Sequence, residues 1–278
     1  MKYIYLNLKR FDIPASMGGV NRLSPISRWG RYIVENTQEK LKCYKEKEVE
    51  FVQFYPEAHL IPAIDALDEK SHVKIGCQGI YREDAAIGGN FGAFTTNCPA
   101  ASAKALGCDY AIIGHCEERN DKAGVLREAG VTDNEAINRI LNREIKQALA
   151  RNMKVLYCIG EKSEEQGDWK NVLRMQLQIG LEGVDTANIV VGYEPIWSIG
   201  PGKAPADKEY ITKIAQFIKQ EKQGIKVVYG GGLKSENAAM LSEIKEIDGG
   251  LIALTRFSGD IGFYPDEYIK IIETYLGK

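Results

Sequence analysis

Short apolar stretches alternate with longer amphipathic ones along most of the chain, and this alternation restricts the possible folds more than any other feature. The short stretches are rich in β-branched residues, which favour strands buried on both faces. Eight such strands are predicted, at residues 3–6, 49–54, 73–75, 110–113, 155–158, 189–191, 226–229 and 251–253. The clearest amphipathic segments predict helices at residues 134–152, 168–181, 206–222 and 265–276. Repeated βα units of this kind indicate an α/β protein with a parallel sheet.

Eight βα units are the number that a closed (β/α)8 barrel needs, and the chain of 278 residues has the length of one such barrel. No linker, low-complexity tract or sequence repeat indicates a second domain. We therefore predict a single (β/α)8 TIM barrel over residues 1–278, with a long loop at residues 12–27. Barrels of this kind carry their chemistry on the loops that follow the carboxyl ends of the strands.

Charge and cysteine content narrow the classes of partner. The net charge of −2 provides no broad basic surface, so we expect neither nucleic acid nor an anionic membrane as a partner. No apolar run approaches the roughly 20 residues of a membrane-spanning helix. The six cysteines form no Cys-x-x-Cys pair and no secretory segment opens the sequence, which predicts a reduced, cytoplasmic protein.

The stretch 192–205 reads Gly-Tyr-Glu-Pro-Ile-Trp-Ser-Ile-Gly-Pro-Gly-Lys-Ala-Pro and places one carboxylate, Glu194, directly after a predicted buried strand. Prolines restrict the backbone on both sides of the following loop, while Gly200 and Gly202 leave its middle free to change conformation. This composition is typical of a hinged lid over a site. The alternative is a surface loop with an exposed glutamate, which would not require proline, tryptophan and glycine at these fixed offsets.

Other polar residues also follow predicted strands. Asn7 and Lys9 come after the first strand, where a fixed lysine would attract an anionic substrate and offset developing negative charge. His115 and Glu117 come after the fourth strand, in an acidic turn. Gly232 ends three consecutive glycines after the seventh strand, whose backbone N–H groups can approach an oxyanion closely. A surface lysine and a structural histidine are the alternatives for Lys9 and His115.

Together these motifs resemble those of the triosephosphate isomerase family. The family pattern Tyr-Glu-Pro-Val-Trp-Ala-Ile-Gly-Thr-Gly-Lys is similar to residues 193–203, and its Asn-Trp-Lys to residues 7–9, with leucine in place of tryptophan. Residues 112–119 are similar to its Ile-Gly-His-Ser-Glu-Arg-Arg, and residues 229–232 to its Tyr-Gly-Gly-Ser. Cys-Ile-Gly-Glu at residues 158–161 also matches, and the resemblance runs from residue 3 to about 275.

The resemblance implies aldose–ketose isomerisation of a small phosphorylated sugar, a reaction of glycolysis and gluconeogenesis that uses no metal, nucleotide or other cofactor. Glu194 would remove the proton next to the carbonyl, while His115, as a neutral imidazole, and Lys9 would stabilise the enediolate. This family is itself the standard example of that mechanism and of lid gating. Asn7 and Glu117 would help to bind the substrate. Glu161, after the fifth strand, would brace the lid through Trp197.

The first loop departs from the family pattern, because residues 12–27 are inserted where the family has a short loop. The insertion is rich in glycine, proline and serine, which predicts a long surface loop. It follows the first strand and so starts on the catalytic face of the barrel. It could therefore cover the pocket and bring Asn21, Arg22 or Arg28 within reach of the substrate.

The loops predicted to bind phosphate also depart from the family pattern. Gly232 replaces a family serine but keeps its backbone amide, whereas Ala253 and Leu254 occupy two family glycine positions in the eighth loop. Residues other than glycine cannot readily take the same dihedral angles, so the amide cradle should be weaker there. We predict that Arg256 points inward and binds the phosphate together with the amides of Gly200 and Gly232. The alternative for Arg256 is a surface ion pair.

The third loop implies a homodimer, since residues 92–97 resemble a family loop that reaches into the partner subunit. Asn97 replaces a glutamate and Glu118 an arginine, so the charge contacts of this dimer should differ from those of the family.

Three functions remain open from the sequence. The preferred one is the interconversion of dihydroxyacetone phosphate and glyceraldehyde 3-phosphate. The second is isomerisation of a longer ketose phosphate such as erythrulose phosphate, which the first-loop insertion and the altered eighth loop suggest. The third is a non-catalytic sugar-phosphate-binding barrel, which would predict the loss of a catalytic side chain, and none is missing.

Overall fold

Eight parallel strands close into a barrel in the computed structural model, which describes residues 1–199, 203 and 205–278. Each strand pairs with the next in chain order, and the first pairs with the eighth to close the ring. The strands are β1 Lys2–Asn7, β2 Val49–Tyr55, β3 Val73–Cys77, β4 Tyr110–Ile113, β5 Lys154–Ile159, β6 Ile189–Tyr193, β7 Lys226–Tyr229 and β8 Gly249–Ile252. The predicted (β/α)8 barrel is confirmed, and all eight carboxyl ends meet at one mouth.

The helices of the described residues pack around the sheet. They are α1 Trp29–Glu35, α2 Gln38–Leu41, α3 Leu60–Ile64, α4 Ala100–Ala105, α5 Cys116–Glu128, α6 Asn134–Ala150, α7 Trp169–Gly180, α8 Lys208–Glu221, α9 Ala238–Ser242 and α10 Pro265–Leu276. Short 3-10 helices lie at Ala15–Met17, Ile26–Arg28, Glu57–His59, Ser163–Asp168, Thr186–Asn188 and Ile196–Ser198. The four predicted helices are present, and Asp133 and Asp207 cap two of them by accepting backbone N–H groups. Among the helices described, none is long and apolar enough to cross a membrane.

The eighth strand begins two residues earlier than predicted, at Gly249 rather than Leu251. Two glycines look unsuited to a strand, but here they let β8 lie close to β1 and to the loop after β7. A Cβ at Gly249 would lie 1.8 Å from the carbonyl oxygen of Tyr3, and one at Gly250 would lie 2.9 Å from the Leu233 side chain. The sequence pattern alone therefore placed this strand too late.

Side chains fill the inside of the barrel, so that it is a packed core and not a channel. Tyr5, Phe54, Tyr110 and Leu156 are among the buried residues of this inner cluster. A second and larger apolar cluster lies between the sheet and the helices. A ligand site must consequently lie at the mouth, on the loops that follow the strands.

Candidate active site

A cavity of about 310 Å³ opens at the carboxyl ends of the strands. Six of the predicted site residues line it together, although they come from loops far apart in the sequence: Asn7, Lys9, His115, Glu117, Glu194 and Gly232. Gly200, the seventh predicted residue, lies outside the described residues, as does Gly202.

Glu194 follows β6 directly and is buried, with 1% of its surface exposed. Its Oε2 accepts a hydrogen bond of 2.9 Å from the backbone N–H of Cys116. Its Oε1 lies 3.1 Å from His115 Nε2, but it has no hydrogen bond of good geometry among the described residues. Burial raises the pKa of the Glu194 carboxyl, although His115 and the Cys116 amide act in the opposite direction. One oxygen is thus fixed and the other is available to take a proton.

The backbone around Glu194 is packed so closely that two neighbouring positions have no room for a side chain. A Cβ at Gly230 would lie 2.8 Å from Glu194 Cγ, and one at Gly160 would lie 1.8 Å from the carbonyl oxygen of Glu194. Glycine at both positions lets the loop after β5 pack against the backbone of Glu194 and the loop after β7 pack against its side chain. Glu194 is therefore held between two neighbouring loops.

His115 forms the N-cap of α5, and its Nδ1 accepts the backbone N–H of Glu117 at 3.3 Å. An imidazole that accepts at Nδ1 carries its proton on Nε2 when neutral. Nε2 is the nitrogen next to Glu194 Oε1. The start of α5 therefore sets both the direction of the ring and the tautomer that faces the cavity.

Lys9 has a φ of 41°, a left-handed conformation that is uncommon for a residue with a side chain. The Asn7 side chain accepts its backbone N–H at 3.0 Å, and Gln78 donates to its carbonyl oxygen at 3.1 Å. The Lys9 ammonium lies 2.8 Å from Glu117 Oε1. Despite partial desolvation, this ammonium holds the pKa of the Glu117 carboxyl below its usual value. Local hydrogen bonds thus direct the lysine toward the mouth.

Glu161 anchors the start of the loop that carries Glu194. It is fully buried, and its Oε1 accepts from Trp197 Nε1 at 2.7 Å, from the Tyr193 hydroxyl at 2.9 Å and from the Tyr210 hydroxyl at 3.1 Å. The bracing of Trp197 that the resemblance implied is present. Burial raises the pKa of Glu161, against these three donors.

Arg256 does not lie in the cavity, which corrects its predicted inward position. Its Nε donates to Glu267 Oε1 at 2.9 Å, and its guanidinium stacks 3.9 Å from the centre of the Tyr264 ring. Glu267 belongs to α10, and its carboxylate forms an ion pair with Arg256 there. The structure therefore agrees with the alternative prediction for Arg256, which was a surface ion pair.

The insertion does not line the cavity either, so the expected reach of Asn21, Arg22 and Arg28 is also corrected. Asn21 is buried and donates to the carbonyl oxygens of Asp12 and Ser24. Arg22 pairs with Asp260 at 3.3 Å, and Arg28 is exposed. The insertion folds back on itself and onto the loop after β8, because its polar groups find partners there.

Lys234 and Phe257 line the cavity and were not predicted. Lys234 follows the three glycines after β7, and Phe257 follows β8. Their positions after strand ends are the same signal that identified Asn7 and His115.

His115, Cys116 and Glu194 are the group among the described residues that could hold a metal ion, since one ligand atom of each lies within 4.8 Å of the others. Burial raises the pKa of the Cys116 thiol to about 12, which disfavours the thiolate that binds metals. The same imidazole and carboxylate form the acid–base pair described above. An ion here would block that pair rather than assist it.

Comparisons with known proteins agree with the geometry. The family model described as triosephosphate isomerase matches residues 30–273. The triosephosphate isomerase of Chlorobium phaeovibrioides (strain DSM 265 / 1930) is 35% identical over 214 residues, which are 70% of this chain and 78% of that protein. That of Syntrophotalea carbinolica is 33% identical over 226 residues, 77% of this chain and 80% of that protein.

A solved structure gives the same fold. The crystal structure of triosephosphate isomerase from Bartonella henselae covers 99% of both chains with a TM-score of 0.72 and 22% identity, a likeness that shows the fold alone. The barrel, its site and the sequence relatives together define an isomerase. The chain belongs to the triosephosphate isomerase family.

Proposed function

We propose that this isomerase interconverts dihydroxyacetone phosphate and glyceraldehyde 3-phosphate through an enediolate. The observation that carries the proposal is the pairing of Glu194 and His115 at 3.1 Å inside the cavity, with one carboxylate oxygen that has no hydrogen bond to any described residue. A base must reach a carbon next to the carbonyl while a donor reaches the carbonyl oxygen, and these two groups are adjacent.

The proton transfers follow from this arrangement. Glu194 Oε1 removes a proton from the carbon next to the carbonyl, and the electron pair moves onto the carbonyl oxygen. The Nε2–H of His115 and the Lys9 ammonium stabilise the resulting oxyanion. Glu194 then returns the proton to the former carbonyl carbon. His115 gives its Nε2 proton to the oxygen on that carbon and takes the hydroxyl proton from the oxygen on the neighbouring carbon, where the new carbonyl forms. The raised pKa of Glu194 makes it a stronger base than an exposed glutamate, as general base catalysis near neutral pH requires.

The remaining predicted residues support binding in this proposal. Asn7 holds the backbone of Lys9, and Glu117 orients its ammonium through the 2.8 Å ion pair. The amide of Gly232 contributes to the phosphate site. The loop from Pro195 to Pro205 acts as the lid in this proposal; Trp197 and Glu161 brace its start, and it excludes water so that the enediolate does not eliminate phosphate.

A longer substrate has less support than the sequence suggested. One reason for a tetrulose phosphate was the insertion, and the insertion does not line the cavity. The other reason was the change at Ala253 and Leu254, and these two residues do line the cavity. A non-catalytic barrel would lack part of the acid–base pair, which is present here. A direct test is the rate of isomerisation of glyceraldehyde 3-phosphate by the wild-type chain and by Glu194→Gln.

A further inference from the structure

Lys234 places an unpaired ammonium group in the active-site cavity. It lies two residues beyond Gly232 and lines the cavity that contains Glu194 and His115. No carboxylate among the described residues forms an ion pair with it. The other cation of this wall, Lys9, is already paired with Glu117.

One contact of the Lys234 side chain and two hydrogen bonds of its turn hold this residue in place. Its Nζ lies 4.2 Å from the centre of the Phe257 ring, a cation–π contact on the wall formed by the loop after β8. Its backbone N–H donates to Asn237 Oδ1 at 2.8 Å, and Asn237 Nδ2 donates to the carbonyl oxygen of Gly232 at 2.9 Å. The turn that carries Lys234 is thereby tied to the loop after β7.

Gly232 leaves the space that the lysine occupies. Its φ is +99°, which residues with a side chain rarely adopt, and a Cβ there would lie 3.1 Å from Lys234 Cε. A side chain at this position would require the lysine side chain to shift by a few tenths of an ångström. Glycine here lets Lys234 pack directly against the loop after β7.

The other residues that were considered as phosphate ligands are less suited to that role in this chain. Arg256 is paired with Glu267, and neither Ala253 nor Leu254 has the positive φ that a glycine can adopt. A phosphate dianion in a partly desolvated cavity still needs a charge partner. We infer that the Lys234 ammonium, with the amide of Gly232, binds the phosphate group of the substrate. This inference rests on the proposed function, since it concerns the same cavity.

Lys234 is a binding residue and does not touch the reacting carbons. Its loss should therefore weaken phosphate binding and lower kcat/KM far more for a phosphorylated substrate than for an unphosphorylated one. The apolar side chains of Phe11, Leu254 and Phe257 line the same cavity and lower the local dielectric constant, which strengthens an ion pair there.

The test compares Lys234→Met with two other variants. Lys234→Arg keeps the charge, and Lys245→Met removes an equivalent charge from an exposed position between α9 and β8. We expect Lys234→Met to raise the inhibition constant of inorganic phosphate and to lower kcat/KM for glyceraldehyde 3-phosphate by about 10- to 150-fold, the range of a charge-assisted hydrogen bond. Lys234→Arg should recover most of the loss, Lys245→Met should match the wild type, and kcat/KM for unphosphorylated glyceraldehyde should change little in all three.

The outcomes separate the inference from the proposed function. A wild-type inhibition constant for phosphate in Lys234→Met, with a normal melting temperature, would overturn the inference and leave the isomerase activity intact. An equal loss on glyceraldehyde and on its phosphate would also overturn it, because that pattern reports a disturbed acid–base pair. If the wild type does not isomerise triose phosphates but calorimetry shows Lys234-dependent phosphate binding, the proposed substrate is wrong and the phosphate site stands.

Discussion

Glu194 is fully buried, yet only one of its two oxygens is hydrogen-bonded to a described residue. An ionised carboxylate in such a place costs folding free energy, because burial removes water that the protein does not fully replace. The raised pKa of Glu194 expresses the same cost. The folded state binds this proton more tightly than the unfolded state, so the contribution of Glu194 to stability falls as the pH rises through the interval between the ordinary and the raised pKa.

Replacing Glu194 by glutamine should separate activity from stability. The amide keeps the shape of the side chain but cannot accept the substrate proton, so kcat should fall by at least about 10² to 10⁴-fold. The melting temperature near neutral pH should not fall, because a buried charge is removed. Steady-state kinetics and calorimetry on the two chains measure both effects. Retention of more than about a tenth of the activity would exclude Glu194 as the base.

The pH dependence of kcat/KM should report the raised pKa of Glu194. The base must be unprotonated in the free enzyme, so kcat/KM should fall as the pH drops through a value above 4.5, the ordinary pKa of a glutamate. Unphosphorylated glyceraldehyde is the appropriate substrate, since a phosphate group titrates near pH 6 and would mask the effect. An acidic limb at the ordinary glutamate pKa would contradict the assignment.

The residues that the sequence identified share one property, which is their position directly after a strand. Glu194, His115 and Lys9 could be found in this way because a closed barrel brings all strand ends to one mouth. Arg256 also follows a strand, but its direction depends on Glu267, eleven residues further on in α10. Sequence position gives the loop on which a side chain lies but not the partner to which it turns. Lys234 was overlooked although the same rule applied to it.

The conformations of the loops account for the remaining differences between the predicted and the observed structure. The insertion at residues 12–27 was expected to cover the pocket, and it instead packs beside it. Asp12, at its start, is 1% exposed, with Oδ2 lying 3.1 Å from His59 Nε2 and hydrogen bonds from the Arg10 guanidinium. Composition predicted a loop here, but it could not predict a buried polar contact with a residue after β2. This insertion therefore has a structural role in the fold described above.

Replacing Asp12 by alanine should accordingly affect stability more than kinetics. Removing one partner of a buried hydrogen bond, here the acceptor opposite His59 Nε2, typically costs about 1–3 kcal/mol. We expect a loss in the free energy of unfolding within or below this range, measured by urea denaturation, with KM for glyceraldehyde 3-phosphate nearly unchanged. Arg31→Ala, at a half-exposed position on α1, serves as the control for a surface ion pair. A changed substrate preference at unchanged stability would restore the covering role of the insertion.

The third βα loop leaves apolar side chains exposed to water. Ile87 and Phe91 are both almost fully exposed on it. A cavity of about 500 Å³ lies between this loop and α5, and it includes Asn97 and Glu118, the two positions that differ from the family. Exposed apolar side chains of this kind are typical of interaction surfaces. We propose that the third loop forms the interface of a homodimer.

Phe91→Asp should weaken this dimer, because a charge placed in an apolar interface must be desolvated without a partner. Sedimentation velocity over a range of concentrations measures the dimer dissociation constant. Met17→Asp introduces the same charge at another exposed apolar position, on the insertion, and should leave the dimer unchanged. A wild-type chain that stays monomeric, or equal effects of both substitutions, would contradict an interface through the third loop.

We propose that this barrel isomerises a triose phosphate through Glu194. The most direct measurement is a coupled assay that compares kcat/KM for glyceraldehyde 3-phosphate with kcat/KM for the erythrulose phosphates, using purified wild-type chain and Glu194→Gln prepared identically to exclude activity from the expression host. We predict a higher kcat/KM for glyceraldehyde 3-phosphate, and its loss in Glu194→Gln. A higher kcat/KM for an erythrulose phosphate, or equal rates in the two preparations, would contradict the claim.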